Sequence, residues 1–191
     1  MTARLTPSQT VGPFFGPALI RRGMERIARE GARGERIVVE GRIVDGARNP
    51  VPDAMIEIWQ ANAEGRYDHP GDTQEARLDP NFHGFGRAGT NQNGEFRFYT
   101  IKPGRVAGGG GALGAPHLNL CIFARGLLTH LNTRLYFPEE QAANAADPVL
   151  NAVDPARRAT LLARDIGTAH ERILRFDIVL QGDAETVFFE V

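Results

Sequence analysis

Apolar and polar residues alternate along several short segments of the chain. In segment 95–101, Phe96 and Phe98 fall on one side of an extended backbone, and Glu95 and Arg97 fall on the other. A period of two residues is typical of a strand that buries one face. The segment is therefore predicted to be a strand with its phenylalanines in a core.

The alternation recurs in segment 174–180, where Leu174, Phe176, Ile178 and Leu180 share one face, and further short segments rich in Val, Ile and Phe predict a series of strands. Turn-forming pairs such as Asp45-Gly46, Asn93-Gly94 and Gly182-Asp183 separate them. The predicted strands cover 36–44, 54–60, 95–101, 117–124, 133–137, 174–180 and 186–190. Many short strands divided by turns are typical of an all-β antiparallel sandwich.

Two segments break this period and are predicted to be short helices on the sandwich. Segment 139–146 is rich in alanine, and segment 155–164 follows Asp154 as N-cap, with Pro155 at the first helical position. Residues 17–33 remain ambiguous, because their apolar spacing suits a helix while their glycines weaken it. No repeat or linker divides the chain, so we predict a single domain.

Composition and charge narrow the range of partners. The chain has 191 residues, 42% of them hydrophobic, which is enough for one core. Its net charge of -1 gives no electrostatic reason to expect nucleic acid or a membrane surface. Cys121 is the single cysteine, which fits a reducing compartment, and no apolar run is long enough for a signal peptide or a bilayer span. We therefore predict a cytoplasmic protein.

Four positions look like a ferric site in which half of the ligands have been replaced. Ferric iron is well served by phenolate and imidazole ligands, so a site of this type would need two tyrosines and a His-x-His pair. Tyr67 follows a Gly-Arg turn, and His117 opens the predicted strand 117–124. Asn119 shares the face of His117 but offers an amide, and Val106, after a Lys-Pro-Gly turn, can bind no metal. The chain itself is therefore predicted to bind no iron.

Arg134 is the candidate for contact with an anion. In segment 133–137 it shares one face with Tyr136, while Leu135 and Phe137 share the other, so Arg134 is expected to point away from the core. A guanidinium can bind a carboxylate through two parallel N–H groups. The alternative is an ordinary solvated or ion-paired surface arginine.

A set of short motifs, in order along nearly the whole chain, resembles the intradiol ring-cleaving dioxygenases. The motifs are TPSQTVGPF at 6–14, EIWQAN at 57–62, DPNF at 79–82, FGR at 85–87, TRLYF at 133–137 and RFDIVLQG at 175–182. Members that hold iron use a tyrosine after a Gly-Arg-type turn, a tyrosine after a Lys-Pro-Gly turn, and a His-x-His strand preceded by an arginine. Tyr67 and His117 match this pattern. Val106 and Asn119 replace ligands, and Gly114 stands where the arginine would be.

Within the family, the resemblance is to the iron-free alpha subunit of the members that act on protocatechuate, 3,4-dihydroxybenzoate. It implies an all-β, prealbumin-like sandwich that pairs with a homologous beta subunit in a higher-order hetero-oligomer. The resemblance further implies that Fe(III) is held by the beta subunit and that this chain has no catalytic residue. Such a complex inserts both atoms of O2 between the two hydroxylated ring carbons and yields 3-carboxy-cis,cis-muconate, a step of the beta-ketoadipate pathway.

The resemblance also assigns roles at a subunit boundary. In the family, an alpha-subunit arginine in this motif and an N-terminal turn approach the partner's site, so Arg134, Thr10, Gly12 and Pro13 are predicted to contact substrate. Residues 1–35 are predicted to form an N-terminal arm at the interface. Two alternatives stay open: a stand-alone transthyretin-like binding module without catalytic activity, and a self-sufficient dioxygenase whose ligands the sequence does not identify.

Overall fold

Two β-sheets pack face to face in the computed structural model, which describes residues 10–12, 14–107 and 113–190. The strands are β1 (Arg36–Val44), β2 (Met55–Trp59), β3 (Phe85–Gly89), β4 (Glu95–Ile101), β5 (His117–Phe123), β6 (Leu131–Tyr136), β7 (Arg164–Asp165), β8 (Ile173–Arg175) and β9 (Ile178–Val179). The helices are α1 (Phe15–Leu19), α2 (Gln141–Ala146) and α3 (Pro148–Ala152), with a 3-10 turn at Arg158–Leu161. No helix in these described ranges is long and apolar enough to cross a membrane.

The first sheet is built around β1. Its order is β4-β1-β8-β7, and β9 pairs with the end of β1 beyond β8. The β1–β4 pair is antiparallel and places Val39 opposite Phe98, whereas β8 and β9 run parallel to β1. The predicted strand 174–180 is thus divided into two short strands that pair with the same neighbour.

The second sheet has the order β3-β2-β5-β6, and all of its pairs are antiparallel. Phe85 lies opposite Trp59, Trp59 opposite Asn119, and Asn119 opposite Arg134. Residues that face each other across neighbouring strands project from the same side of a sheet. The four side chains therefore form one cross-strand row, which runs over the outer face of this sheet near the start of β5.

The core lies between the two sheets and confirms the predicted sandwich and its alternating faces. Phe96 and Phe98 are buried, and so are Leu174, Phe176 and Ile178. The burial of these apolar side chains supplies the main driving force that holds the sheets together.

Two predictions about the C-terminal third are wrong. Segment 155–164 forms turns and a short 3-10 helix, although Asp154 does accept a hydrogen bond from the Ala156 amide (2.9 Å). The helix does not continue, because Ala163 donates its amide hydrogen to the Tyr136 carbonyl (3.0 Å). This bond holds the chain against β6. Segment 186–190 makes an isolated bridge through Phe189 instead of a strand.

Strand β3 was not predicted, because its glycines hide the apolar pattern. A Cβ placed on Gly86 would lie 2.6 Å from the Met24 carbonyl oxygen and from the Ile27 side chain. Real Cβ atoms do not approach other atoms this closely, so the glycine allows the N-terminal segment to lie directly on the strand.

Part of the predicted N-terminal arm packs on this chain's own sandwich. Tyr99 donates its amide hydrogen to the Glu25 carbonyl and accepts one from Ile27, both at 2.9 Å. Ile27 is buried in the core. Residues 1–9 lie outside the described residues, and the role of the arm at an interface remains a prediction.

Candidate functional site

The candidate site lies at the end of the second sheet where β5 begins. It combines the cross-strand row with the loop that carries Tyr67. The aromatic rings of Trp59 and Tyr67 stack with centroids 5.5 Å apart and planes 18° from parallel. Asn119 donates through Nδ2 to the Trp59 carbonyl oxygen (3.2 Å) and to the Tyr67 hydroxyl oxygen (3.3 Å). The structure thus brings Tyr67 and Asn119 together from positions distant in sequence.

His117 completes this cluster from the first position of β5. Its Nε2 atom lies 3.5 Å from the Tyr67 hydroxyl oxygen, and its Nδ1 atom lies 2.8 Å from the Ala115 carbonyl oxygen. A carbonyl oxygen can only accept, so Nδ1 carries the hydrogen and Nε2 is the acceptor that faces Tyr67. Burial, reinforced by the positive charge of Arg134, lowers the pKa of His117 to about 4. The imidazole is therefore neutral at pH 7.

Val106 enters this region through contact between loops. Gly65, at φ +83°, packs so closely on the next loop that an added Cβ would clash with the Arg105 carbonyl oxygen. Val106 is buried, and its carbonyl oxygen accepts a hydrogen bond from Gly114 (2.8 Å). The loops of Tyr67 and Val106 and the approach to His117 therefore form one packed unit. The glycine run 108–111, in the same loop as Val106, lies outside the described residues.

The residues in this cluster do not fit a ferric ion. Val106 offers no donor atom, and the Asn119 amide replaces what would be an imidazole. Burial raises the pKa of Tyr67, although the Asn119 hydrogen bond and Arg134 oppose the shift. The described ranges contain no group of three or more His, Cys, Asp or Glu side chains placed to hold a metal.

Asp147 anchors the backbone just before His117 to neighbouring elements. Its carboxylate is almost fully buried and accepts hydrogen bonds from the Tyr136 hydroxyl (3.1 Å) and the Ala115 amide (2.8 Å). It also accepts from the Val149 and Leu150 amides at the start of α3, at 3.0 and 2.8 Å. One side chain therefore joins the entry to β5, the end of β6 and the N-terminus of a helix.

Arg134 lies in a partly enclosed setting and not on an open surface. Tyr136, on the same strand face, is completely buried in a second apolar cluster beneath α2 and α3. Arg134 donates to the Tyr136 hydroxyl (3.4 Å), and no ion pair among the described residues includes its guanidinium. Among the described residues, Arg134 is therefore not an ion-paired surface arginine, which was one form of the alternative given above.

A cavity of about 430 Å³ opens beside Arg134 on the outer face of the sheet. Trp59, Phe85, Val149 and Phe189 contribute apolar surface to its lining. This volume lies within the range of small-molecule sites in proteins, on the order of 300–1,000 Å³. The row of side chains on the outer face therefore borders a space of ligand size.

The other predicted substrate contacts lie near the N-terminus. Thr10 is exposed, and Gly12 has a positive φ of +71°, which favours glycine in a turn. Pro13 lies outside the described residues. In the ranges that are described, no hydrogen bond joins Thr10 or Gly12 to the cavity, so their contact with substrate stays a prediction.

Sequence reasoning did not single out two residues that shape the site. Asp147 carries a local signal, because an Asp before Pro148 marks a helix N-cap with proline at the first position. Trp59 lies within the EIWQAN motif, but the motif does not indicate its stacking on Tyr67, because this contact depends on a loop that folds back from outside the sheet.

Comparison with known proteins gives a consistent set of relatives. A family model described as Dioxygenase matches residues 11–182. The chain is 44% identical over 202 residues to the protocatechuate 3,4-dioxygenase alpha chain of Burkholderia cepacia, covering 100% of this chain and 99% of the relative. The alpha chain of Pseudomonas putida is 43% identical, with 97% and 96% covered.

The beta chain of the Burkholderia cepacia enzyme is also similar, at 41% identity over 155 residues, covering 78% of this chain and 66% of the relative. Among solved structures, 3-chlorocatechol 1,2-dioxygenase from Rhodococcus opacus superposes with a TM-score of 0.65 at 26% identity, over 91% of this chain and 71% of that one. The alpha and beta chains are therefore both similar to this chain.

Proposed function

Because the chain belongs to the dioxygenase family, we propose that it acts as the alpha subunit of an intradiol dioxygenase that cleaves protocatechuate. The observation that carries the proposal is the 44% identity to an alpha chain over 100% of this chain and 99% of the relative. In the proposed reaction, both atoms of O2 enter between the two hydroxylated ring carbons, and the product is 3-carboxy-cis,cis-muconate.

The proposal assigns the Fe(III) to a homologous beta subunit. It is supported by the cluster around Tyr67, where Val106 and Asn119 stand at two of the four ligand positions. No step of the reaction is assigned to Tyr67 or His117. This chain contributes the scaffold, the subunit boundary and the edge of the substrate pocket.

Four residues of this chain are proposed to contact the substrate from across the boundary: Arg134, Thr10, Gly12 and Pro13. Arg134 would bind the carboxylate that distinguishes protocatechuate from catechol. The proposal is supported by its position beside an open cavity and by the lack of an ion-pair partner in the described ranges. The N-terminal arm, residues 1–35, would lie along the partner.

Co-expression with the candidate beta chain tests the proposal. We expect an iron-loaded complex that cleaves protocatechuate, and an isolated chain that carries no stoichiometric iron and has no activity. Metal analysis of each separated subunit should find the iron with the beta chain. A colourless homo-oligomer that ignores the beta chain would favour a stand-alone binding module. A coloured, iron-loaded chain on its own would show that the ligand assignment is wrong.

Arg134→Ala in the assembled complex is expected to raise KM for protocatechuate about ten- to hundredfold, with little change in iron content. The lost interaction is a charge-assisted hydrogen bond, worth roughly 1.5–3 kcal/mol. A contact with the carboxylate is equally strong in the bound substrate and in the transition state, so its loss raises KM and changes kcat little. Arg134→Lys should recover part of the loss, because a point charge cannot reproduce the guanidinium fork.

Two controls separate a substrate contact from a structural role. Catechol lacks the carboxylate, so its KM should change little in Arg134→Ala. Arg125, just beyond the far end of β5, forms an exposed ion pair with Asp53, and Arg125→Ala should leave both substrates unaffected. Equal losses for catechol and protocatechuate would mean that Arg134 holds the subunits together.

A further inference from the structure

We propose that this chain has a phosphate-binding site at the edge of the sandwich, in a cavity of about 500 Å³ where the N-terminal segment crosses from β3 to β4. We call it the arginine cavity, after the arginines in its lining: Arg21, Arg22, Arg87, Arg97 and Arg175. It has no lining residue in common with the cavity beside Arg134, which is carried by β6 at the opposite edge of the second sheet from β3. The inference therefore goes beyond the proposed function.

The N-terminal segment is fixed in place where it forms one wall of the arginine cavity. The Met24 carbonyl oxygen accepts a hydrogen bond from a β3 amide, at 3.2 Å, and the Glu25 carbonyl oxygen accepts one from a β4 amide, at 2.9 Å. Gly23, with a φ of +92°, turns the chain just before these anchors. Arg21 and Arg22 directly precede the turn, and both line the cavity.

Two arginines of the lining carry charge that no ion pair among the described residues compensates. Arg97 and Arg175 share Glu40, at 3.3 and 3.7 Å. Arg21 and Arg22, by contrast, take part in no ion pair in the part of the chain that the structure describes. Their N–H donors are therefore available to a ligand.

The other charges of the arginine cavity are already engaged. Arg87 is paired with Glu57 at 2.6 Å, and Glu95 with Arg42 at 3.4 Å. Glu25 accepts a hydrogen bond from a backbone amide two residues away, at 2.9 Å, and is the one lining carboxylate without an arginine partner among the described residues. Two unpaired guanidinium groups thus face one carboxylate, and the balance favours an anion.

Apolar surface beside these charges strengthens the attraction. Ile20, Ala88 and Phe96 line the arginine cavity, and the last two are buried. A Cβ on Gly89 would lie 2.8 Å from the Ile20 side chain, so the glycine allows the N-terminal segment to pack on the end of β3. Surroundings of this kind lower the effective dielectric constant, so an anion is bound more strongly than by arginines on an open surface.

A phosphate group matches the two unpaired arginines better than a carboxylate does. At neutral pH a phosphate monoester carries nearly two negative charges and three acceptor oxygens, and a guanidinium binds such oxygens through parallel N–H groups. A carboxylate carries a single charge and would leave one arginine uncompensated. Inorganic phosphate and a small phosphate monoester share this chemistry, and the volume of the cavity lies within the range of small-molecule sites.

Equilibrium dialysis of the purified full chain against radiolabelled orthophosphate tests the proposal, with the ionic strength held constant by sodium chloride. We expect a single class of saturable sites. Arg21→Gln and Arg22→Gln should each weaken binding about tenfold, as expected for loss of a charge-assisted contact. Glu25→Gln removes the opposing charge and keeps an oxygen for the backbone amide, so it should tighten binding about two- to tenfold.

Arg29→Gln is the matched control, because Arg29 is an exposed arginine of the same segment that lies outside the cavity lining. This variant should bind phosphate as wild type does. Acetate should displace the label at least about tenfold less effectively than unlabelled phosphate does, since it offers one charge where phosphate offers nearly two. Stronger displacement by phenyl phosphate than by orthophosphate would identify a monoester as the ligand, and the reverse order would identify free phosphate.

Three results would each overturn the inference: no saturable binding to a chain that circular dichroism shows to be folded, equal weakening in Arg29→Gln and in the two cavity variants, or displacement by acetate as effective as by phosphate. The dialysis is repeated with the alpha–beta complex, where the site should persist, and its loss on assembly would also overturn the inference. These outcomes are independent of iron content and of KM for protocatechuate, so the proposed function is tested separately.

Discussion

Asp147→Ala is expected to destabilise the chain by about 3–5 kcal/mol, because four donors lose their buried acceptor and each donor left unsatisfied costs roughly 1–3 kcal/mol. The carboxylate is 1% exposed and accepts four hydrogen bonds, from the Tyr136 hydroxyl and from the amides of Ala115, Val149 and Leu150. Alanine would leave these donors without a partner in a space that water does not readily fill. The loss should appear as a lower urea midpoint with an unchanged slope.

Asp154 offers a matched control, because it is also an Asp followed by Pro at the start of a turn. It is exposed, and its side chain accepts one backbone hydrogen bond, from Ala156. Asp154→Ala should therefore cost no more than about 1 kcal/mol, the usual value of an exposed cap. If the two variants lose equal stability, the carboxylate of Asp147 acts as an ordinary cap and does not join β5 and β6.

The second large effect is a loss of stability in acid that depends on His117. Its pKa is lowered to about 4 in the folded chain, against 6.5 for an ordinary histidine, chiefly because burial disfavours the imidazolium. Between pH 4 and pH 6.5, His117 is therefore protonated in the unfolded chain and neutral in the folded chain. Stability is therefore complete above about pH 6.5 and falls as pH decreases toward 4, by roughly 3 kcal/mol from this group.

His117→Gln should flatten the dependence of unfolding free energy on pH between about 6.5 and 4. The variant also loses the hydrogen bond to the Ala115 carbonyl, so its stability at pH 8 is expected to be lower than wild type by about 1–3 kcal/mol. The slope, not the absolute value, is the readout. His130→Gln, at an exposed histidine, should keep the wild-type slope. A slope unchanged in His117→Gln would assign the acid sensitivity to other groups.

The alternating pattern alone determined most of the strands. Segments 36–44 and 95–101 match β1 and β4 residue for residue. In β4 the local signal is the period of two, whereas β1 buries residues on both faces and is identified by its Val and Ile content. The sequence likewise determines that Val106 offers no donor atom to a metal and that Asn119 offers an amide, whatever the fold. The ordered motifs identified the family before any distance was known, and the similarity of alpha and beta chains to this sequence agrees with them.

Tertiary structure decided the features that depend on contacts between distant segments. Segment 155–164 has helix signals, but its pairing with Tyr136 overrides them. Strand β3 forms by pairing with β2, and Gly86 lets the N-terminal segment lie on it. Tyr136 looks exposed by its strand face but is buried because α2 and α3 cover that face. Sequence spacing fixes which way a side chain points from its own strand. The register between strands and the segments that fold over them decide what it meets, and so they alone place Arg134 beside Trp59 at a cavity.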